Sequence, residues 1–144
     1  MPENSWKSQF PFLTQEKNGQ PLVYFDNACM TPCPVKVLEA VEKYNKEFFS
    51  CGGRSNTHFG RQVDNKVEEA RELAAKFINA NTSSEIIFTK NTTEGINLVA
   101  RGLDLKTGER VLVSDREHNS NLIVWQVLQK ERGLELVILP SKSD

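Results

Sequence analysis

A chain of 144 residues is the size of one domain and can bury a modest core. Its 18 Lys and Arg nearly balance 19 Asp and Glu, so no basic face is implied and nucleic acid is not an expected partner. No apolar run approaches the ~20 residues that span a bilayer, and Met1-Pro2-Glu3-Asn4-Ser5-Trp6-Lys7 lacks the basic-then-apolar pattern of a signal peptide, so the cytosol is the default compartment and no membrane partner is expected.

Residues 1–20 are polar apart from Phe10-Pro11-Phe12-Leu13, and Asn18-Gly19 is a turn signal. Pro21–Phe25 reads as a short strand or extended segment, and Asp26–Pro32 as a loop. A helix is expected from near Pro34, since proline is tolerated in the first turn. Val37, Leu38, Val41, Tyr44 and Phe48 form its apolar stripe. It should end before Cys51-Gly52-Gly53. Arg54–Gly60 reads as a loop, whose Arg54 and His58 are either ligand contacts or simply solvated.

A second helix is expected from about Gln62 to Asn79, burying Val67, Ala70, Leu73, Ala74, Phe77 and Ile78. Ala80–Ser84 connects it to a strand at Glu85–Thr89. From there helices at about Thr92–Leu105 and Asn119–Arg132 alternate with strands at Arg110–Ser114 and Leu134–Leu139. Thr107-Gly108-Glu109 is a turn, and Gly133 stops the last helix. The strands are short, apolar and β-branched with little alternation, which suits burial on both faces under crossover helices. The fold class is α/β with a mostly parallel sheet.

Two strand-end turns carry the chemistry, because ligands in such sheets sit outside the C-terminal ends of the strands. One is Thr89-Lys90-Asn91-Thr92-Thr93-Glu94. It delivers two hydroxyls and several free N–H groups to a helix N-terminus, where the macrodipole favours anions, phosphate above all. Asn91 and Glu94 also fit a helix cap with its reciprocal glutamate, and a capped turn can hold an anion as well. The other turn is Ser114–Asn121, which carries His118, either a site residue or a capping histidine on the surface. Neither G-x-G-x-x-G nor G-x-x-x-x-G-K-[ST] occurs, so dinucleotide and P-loop readings lose their main support.

The three cysteines, Cys29, Cys33 and Cys51, are an odd number, which argues against a disulfide framework. With His58 their spacing matches no strong zinc pattern, so reduced thiols and no metal are expected.

Several motifs, in order and at matching intervals, resemble one family. Asn18–Ala28 resembles the N-terminal signature of cysteine desulfurases, pyridoxal-phosphate enzymes of the class V aminotransferase group. Phe10–Leu13 fits the preceding segment, and Val67–Arg71 with Phe77–Ala80 fits the long helix. Glu85–Thr89 followed by Asn91–Val99 is similar to the family's phosphate-binding turn. Glu117-His118-Asn119-Ser120-Asn121, with Trp125-Gln126, is similar to its histidine motif. The combination leans towards the cysteine desulfurase and selenocysteine lyase branch. It departs from the family at Thr57, where a histidine is usual, at Cys29 and Met30 after Ala28, and at Asn91, where glycine is common.

The resemblance implies the N-terminal part of a fold type I transferase large domain. Residues 1–33 would be an arm and loop, and residues 34–144 an incomplete large domain. It implies pyridoxal 5'-phosphate as cofactor. The Thr92 N–H and the Thr93 N–H and hydroxyl would hold the phosphate. His118 would lie against the pyridine ring and assist proton transfer, and Ala28 would lie near substrate. The full enzyme would move sulfur from L-cysteine to an enzyme persulfide, releasing alanine, as a homodimer that passes sulfur to an acceptor protein. The family's Schiff-base lysine, its aspartate at the pyridine nitrogen, its substrate arginine and its sulfur-accepting cysteine are expected beyond Asp144, so the chain alone is expected to be inactive. The family's sheet also separates the strand at Glu85–Thr89 from the two after it, which would leave strand edges exposed, so the chain alone is expected to be marginally stable. A non-catalytic module that binds a partner chain or phosphate-bearing ligands is the rival reading, as is another class V activity.

Overall fold

In the computed structural model, which describes residues 6–141, the chain makes its first tight turn at Asn18-Gly19. Glu16–Lys17 (β1) and Gln20–Pro21 (β2) pair antiparallel across it. Asn18 (φ 54°) and Gly19 (φ 71°) both take the left-handed conformation that a two-residue hairpin turn demands. Of Pro21–Phe25, read as a short strand or an extended segment, only Pro21 belongs to a strand, and the Leu22 N–H adds one more bond, to the Gln15 carbonyl at 3.0 Å. The apolar island forms a 3-10 turn at Pro11–Thr14, whose Phe12 ring meets Tyr24 edge-on at 5.5 Å. The polar start at Met1–Ser5 lies outside the described residues.

Val35–Glu47 (α1) follows Pro34, whose extended backbone serves as N-cap. His58–Ile78 (α2) starts ahead of the expected Gln62, because the Thr57 hydroxyl accepts a hydrogen bond from the Gly60 N–H at 3.1 Å. His58 is therefore the first helical residue rather than part of a loop. Gly60 lies so close to the Ser55 carbonyl that a Cβ there would strike backbone. Asn79 (φ 59°) closes the helix in the left-handed conformation.

The apolar stripes of both helices are present, but the expected burial is not. Val37, Leu38 and Val41 of α1 are exposed. On α2, Leu73 is 69% and Phe77 90% exposed, Val67, Ala70 and Ile78 are exposed too, and only Gly60 and Ala75 are buried. Periodicity identifies the face that gains from cover, but the described residues of this unit cover it only in part: Tyr44 and Phe48 of α1 and Ala74 of α2 are half-buried. The expected strand at Glu85–Thr89 is absent as well. Its backbone is extended at Ile86 (φ −98°, ψ 122°), whose carbonyl accepts from the Arg71 guanidinium, but no sheet among the described residues includes it. A strand is made by its neighbours' hydrogen bonds, and those are not local.

The chain divides into two units, Met1–Ile86 and Ile87–Asp144. The second unit carries a helix–strand–helix–strand run: Thr92–Gly102 (α3), Arg110–Ser114 (β3), Asn119–Arg132 (α4) and Glu135–Leu139 (β4). β3 and β4 pair in parallel from Arg110↔Glu135 to Ser114↔Leu139, with α4 as the connection between them. Gly133 (φ 70°) ends α4, and its carbonyl accepts from the Gly108 N–H at 2.9 Å, closing the base of the unit. Ala100 of α3, Val124 and Leu128 of α4, and Leu134 form the core, with Ile96, Leu105, Val111 and Trp125 packed around it.

β3 is covered on one face only. Val113 is 5% exposed while its neighbour Leu112 is 61% exposed, so burial alternates where the sequence reading expects two covered faces. The architecture is α/β with a parallel pair, as expected. Among the described residues no helix is long and apolar enough to cross a membrane.

Candidate functional site

The first element of the site is the start of α3. Asn91 is its N-cap, fully extended (φ −166°, ψ 171°), and its Oδ1 accepts from the Glu94 N–H at 2.9 Å. Glu94 reaches back as expected, but its carboxylate takes the Lys90 N–H rather than that of Asn91. The Thr89 hydroxyl donates to the Asn91 carbonyl at 3.1 Å. The turn is thus pinned on both sides while the Thr92 and Thr93 N–H groups have no intrahelical acceptor. Among the described residues neither threonine hydroxyl has a hydrogen-bond partner. Four donors are therefore uncommitted at the positive end of a helix.

The second element is the junction between β3 and α4. Glu117 accepts from the Ser114 hydroxyl at 2.8 Å and N–H at 3.3 Å with one oxygen, and from the Asn121 amide at 2.8 Å with the other. Asn121 in turn accepts from the Trp125 indole N–H at 3.2 Å. His118 is the N-cap of α4, and its Nδ1 accepts from the Ser120 N–H at 3.1 Å and lies 2.8 Å from the Ser120 hydroxyl. His118 thus caps α4 with its own ring. It also sets the tautomer: an Nδ1 that accepts leaves the proton of the neutral ring on Nε2.

Thr93, Asn97 and Arg101 of α3 and His118, Ser120 and Ile123 at the start of α4 line one open groove of about 350 Å³. The structure thus brings Thr93 and His118 together, and Thr92 precedes Thr93 in the same helical turn. Arg101 also pairs with Glu131 at 3.4 Å. Ala28 belongs to the first unit, in a tight turn where the Cys29 and Met30 N–H groups donate to the Asp26 carbonyl and the Tyr24 hydroxyl donates to the Met30 carbonyl. Cys29, Cys33 and Cys51 are free and exposed, and no cluster of three or more His, Cys, Asp or Glu occurs among the described residues.

The sequence places Glu117, Asn121 and Trp125 in the same motif as His118 but does not reveal that they are bonded to one another. Their spacing is the signal. Glu117, Asn121 and Trp125 recur every fourth residue, so they share one side of the chain as it enters α4.

Two carboxylates here are held below their ordinary range. Glu117 is lowered by the Asn121 amide first and then by Ser114, and Asp115 by hydrogen bonds from Ser141. A carboxylate lowered in the folded state contributes stability that is complete above its unfolded value and is lost as pH falls through the folded one. Those ordinary values are 4.5 for Glu117 and 3.8 for Asp115. The melting temperature is therefore expected to be level from neutral pH to about 5 and to fall below that. In Glu117→Gln the fall should be shallower, which circular dichroism melts across pH 3 to 7, about the carboxylate range, will measure.

With this geometry in view, the family model for aminotransferase class-V matches residues 23–144. A cysteine desulfurase from Serratia proteamaculans is 38% identical over 141 residues, covering 96% of this chain and 35% of that protein. The apo structure of a cysteine desulfurase from Thermococcus onnurineus superposes with a TM-score of 0.77 at 35% identity, over 85% of this chain and 30% of the other. A C-DES mutant with glycine covalently linked to its PLP cofactor shares the fold with a TM-score of 0.79 at 23% identity, over 94% of this chain and 33% of its own. The chain thus spans about a third of the length of the curated relatives it matches. It belongs to the class V aminotransferase family and resembles the N-terminal third of cysteine desulfurases.

Proposed function

We propose that this chain is the N-terminal part of a pyridoxal-phosphate enzyme of the cysteine desulfurase kind, and that its own contribution is half of the cofactor site. One observation carries the reading: Thr93 and His118 line a single groove at the starts of α3 and α4. The donor set suits a dianionic phosphate, since the Thr92 and Thr93 N–H groups and the Thr93 hydroxyl are uncommitted and share the positive end of α3. His118, fixed through Nδ1, would offer a flat ring face and an Nε2 proton to the aromatic part of the cofactor. When bound, the cofactor supplies an electron sink for bonds at the amino-acid α-carbon. The chain's residues bind, orient and hold a proton. Ala28 is assigned to the substrate side, and the division into an arm of residues 1–33 and an incomplete large domain of residues 34–144 belongs to the same reading.

The whole enzyme would act in the cytoplasm as a homodimer. It would take sulfur from L-cysteine to an enzyme persulfide, release alanine and pass the sulfur to an acceptor protein. A selenocysteine lyase or another class V activity is the neighbouring alternative. The exposed apolar face of α2, with Leu73 and Phe77, favours a second role beside it, as a surface against which further polypeptide packs.

Fluorescence titration tests the reading. The chain is expected to bind pyridoxal phosphate, to bind pyridoxal at least 10-fold more weakly because the charged contacts are worth about 1.5–3 kcal/mol, and to lose the phosphate form to excess inorganic phosphate. With L-cysteine it should release neither sulfide nor alanine. Equal affinity for pyridoxal and its phosphate would sink the cup assignment, and sulfide release would sink the claim of inactivity.

A further inference from the structure

His118 is held by its own side-chain bonds to Ser120, but those fix the ring only if the backbone on either side of it is fixed. The chain leaves β3 at Ser114, turns through Asp115 and Arg116, and enters α4 at Asn119. One side chain spans that turn. Glu117 grips the last residue of β3 by both its N–H and its hydroxyl and, with its other oxygen, the amide of Asn121 in the first turn of α4. Asn121 is held in turn by Trp125, which packs against the Ala100–Val124–Leu128–Leu134 core. The staple therefore runs from strand end to helix to core, and His118 sits between its two arms.

We propose that Glu117 is the positioning residue for His118: by bridging Ser114 and Asn121 it holds the histidine backbone so that Nδ1 meets Ser120 and Nε2 keeps the proton. The assignment deepens the reading of His118 as the residue facing the cofactor ring and rests on it for its functional meaning. Glu117 is not among the residues that line the groove, so it acts through His118 alone. A carboxylate suits the place because it can accept at both ends at once. An amide there would present a donor to the donor of Asn121.

That polarity supplies the test. The chain has two histidines, His58 and His118, so long-range 1H–15N spectra of the 15N-labelled chain report both rings, with His58 of the first unit as internal reference. In the parent chain His118 should show the Nε2–H tautomer. Glu117→Ala and Glu117→Gln should each move it towards a mixture of tautomers, with roughly half or more of the difference between its two ring nitrogens lost. The double variant Glu117→Gln with Asn121→Asp exchanges donor and acceptor across the bridge and leaves an acceptor for Trp125, so it should restore the parent pattern. Backbone signals of Val124 and Leu128 show whether α4 is still folded in each variant. Unchanged His118 signals in a folded Glu117→Ala chain, or failure of the folded double variant to recover them, overturns the proposal. Adding pyridoxal phosphate separates the two layers. If the cofactor leaves His118 unmoved in the parent chain while the Glu117 variants still shift its tautomer, the cofactor reading fails and the positioning assignment stands.

Discussion

Replacing Thr92 with proline is expected to weaken pyridoxal-phosphate binding about 10- to 100-fold while leaving helix content unchanged, because one charge-assisted hydrogen bond is worth about 1.5–3 kcal/mol. Thr92 is the first helical residue of α3. Proline is favoured at that position, where its missing N–H breaks no intrahelical bond and its fixed φ suits the helix. The residue before a proline must be extended, and Asn91 is (φ −166°, ψ 171°). The substitution therefore deletes one of the donors proposed to face the phosphate, at little structural cost. Thr92→Ala is the control. It keeps the N–H and removes only the hydroxyl, and its affinity should stay near the parent's. Thr93→Ala should weaken binding if the Thr93 hydroxyl holds the phosphate as proposed. A different ordering has a different meaning: if Thr92→Pro binds as well as the parent, the start of α3 is a cap and nothing more. Titration of each variant, with circular dichroism to confirm the helices, decides between them.

What the sequence discloses follows how local each signal is. β3, α4 and β4 are legible nearly to the residue because their ends carry their own punctuation: Gly108 before β3, Gly133 after α4 and Pro140 after β4. The start of α2 is harder to read because Thr57 lies in a stretch with the composition of a loop, although its hydroxyl is the cap. The strand expected at Glu85–Thr89 fails for the opposite reason. Its residues have the right composition, but a ladder needs a neighbour, and neither β3 nor β4 is one. The apolar stripes of α1 and α2 are stripes, as expected, but they are not buried, since a stripe says nothing about what covers it. At the site, Thr93 and His118 are legible as motif residues. That they share a groove depends on α3 packing against α4, which no spacing reveals. The Glu94 carboxylate shows the same limit on a smaller scale: its spacing from Asn91 announces a reciprocal cap, and only the backbone path decides that Lys90 receives it.

Leu128→Ala is expected to remove about 2–5 kcal/mol, the range for truncating a fully buried leucine whose surroundings collapse only in part. Leu128 is 0% exposed and is the largest side chain so enclosed among the described residues. It belongs to a cluster with only Ala100, Val124 and Leu134 as buried partners, so few neighbours can move in to fill the space. Whole domains are stable by only about 5–15 kcal/mol, and a core this small puts the second unit at the low end, so the variant should lose its cooperative transition in urea. Tryptophan fluorescence can follow it, since Trp125 packs on the core while Trp6 is 79% exposed and should barely change. The contrast is Phe77→Ser on the outer face of α2. At 90% exposure it should shift stability by no more than about 0.5 kcal/mol. Should Phe77→Ser cost as much as Leu128→Ala, and the cost grow with protein concentration, the face of α2 is covered in solution by a second copy of the chain. If the cost is small and the variant aggregates less than the parent chain, the face is bare. The apolar stripe read from the sequence is then no part of this chain's own core.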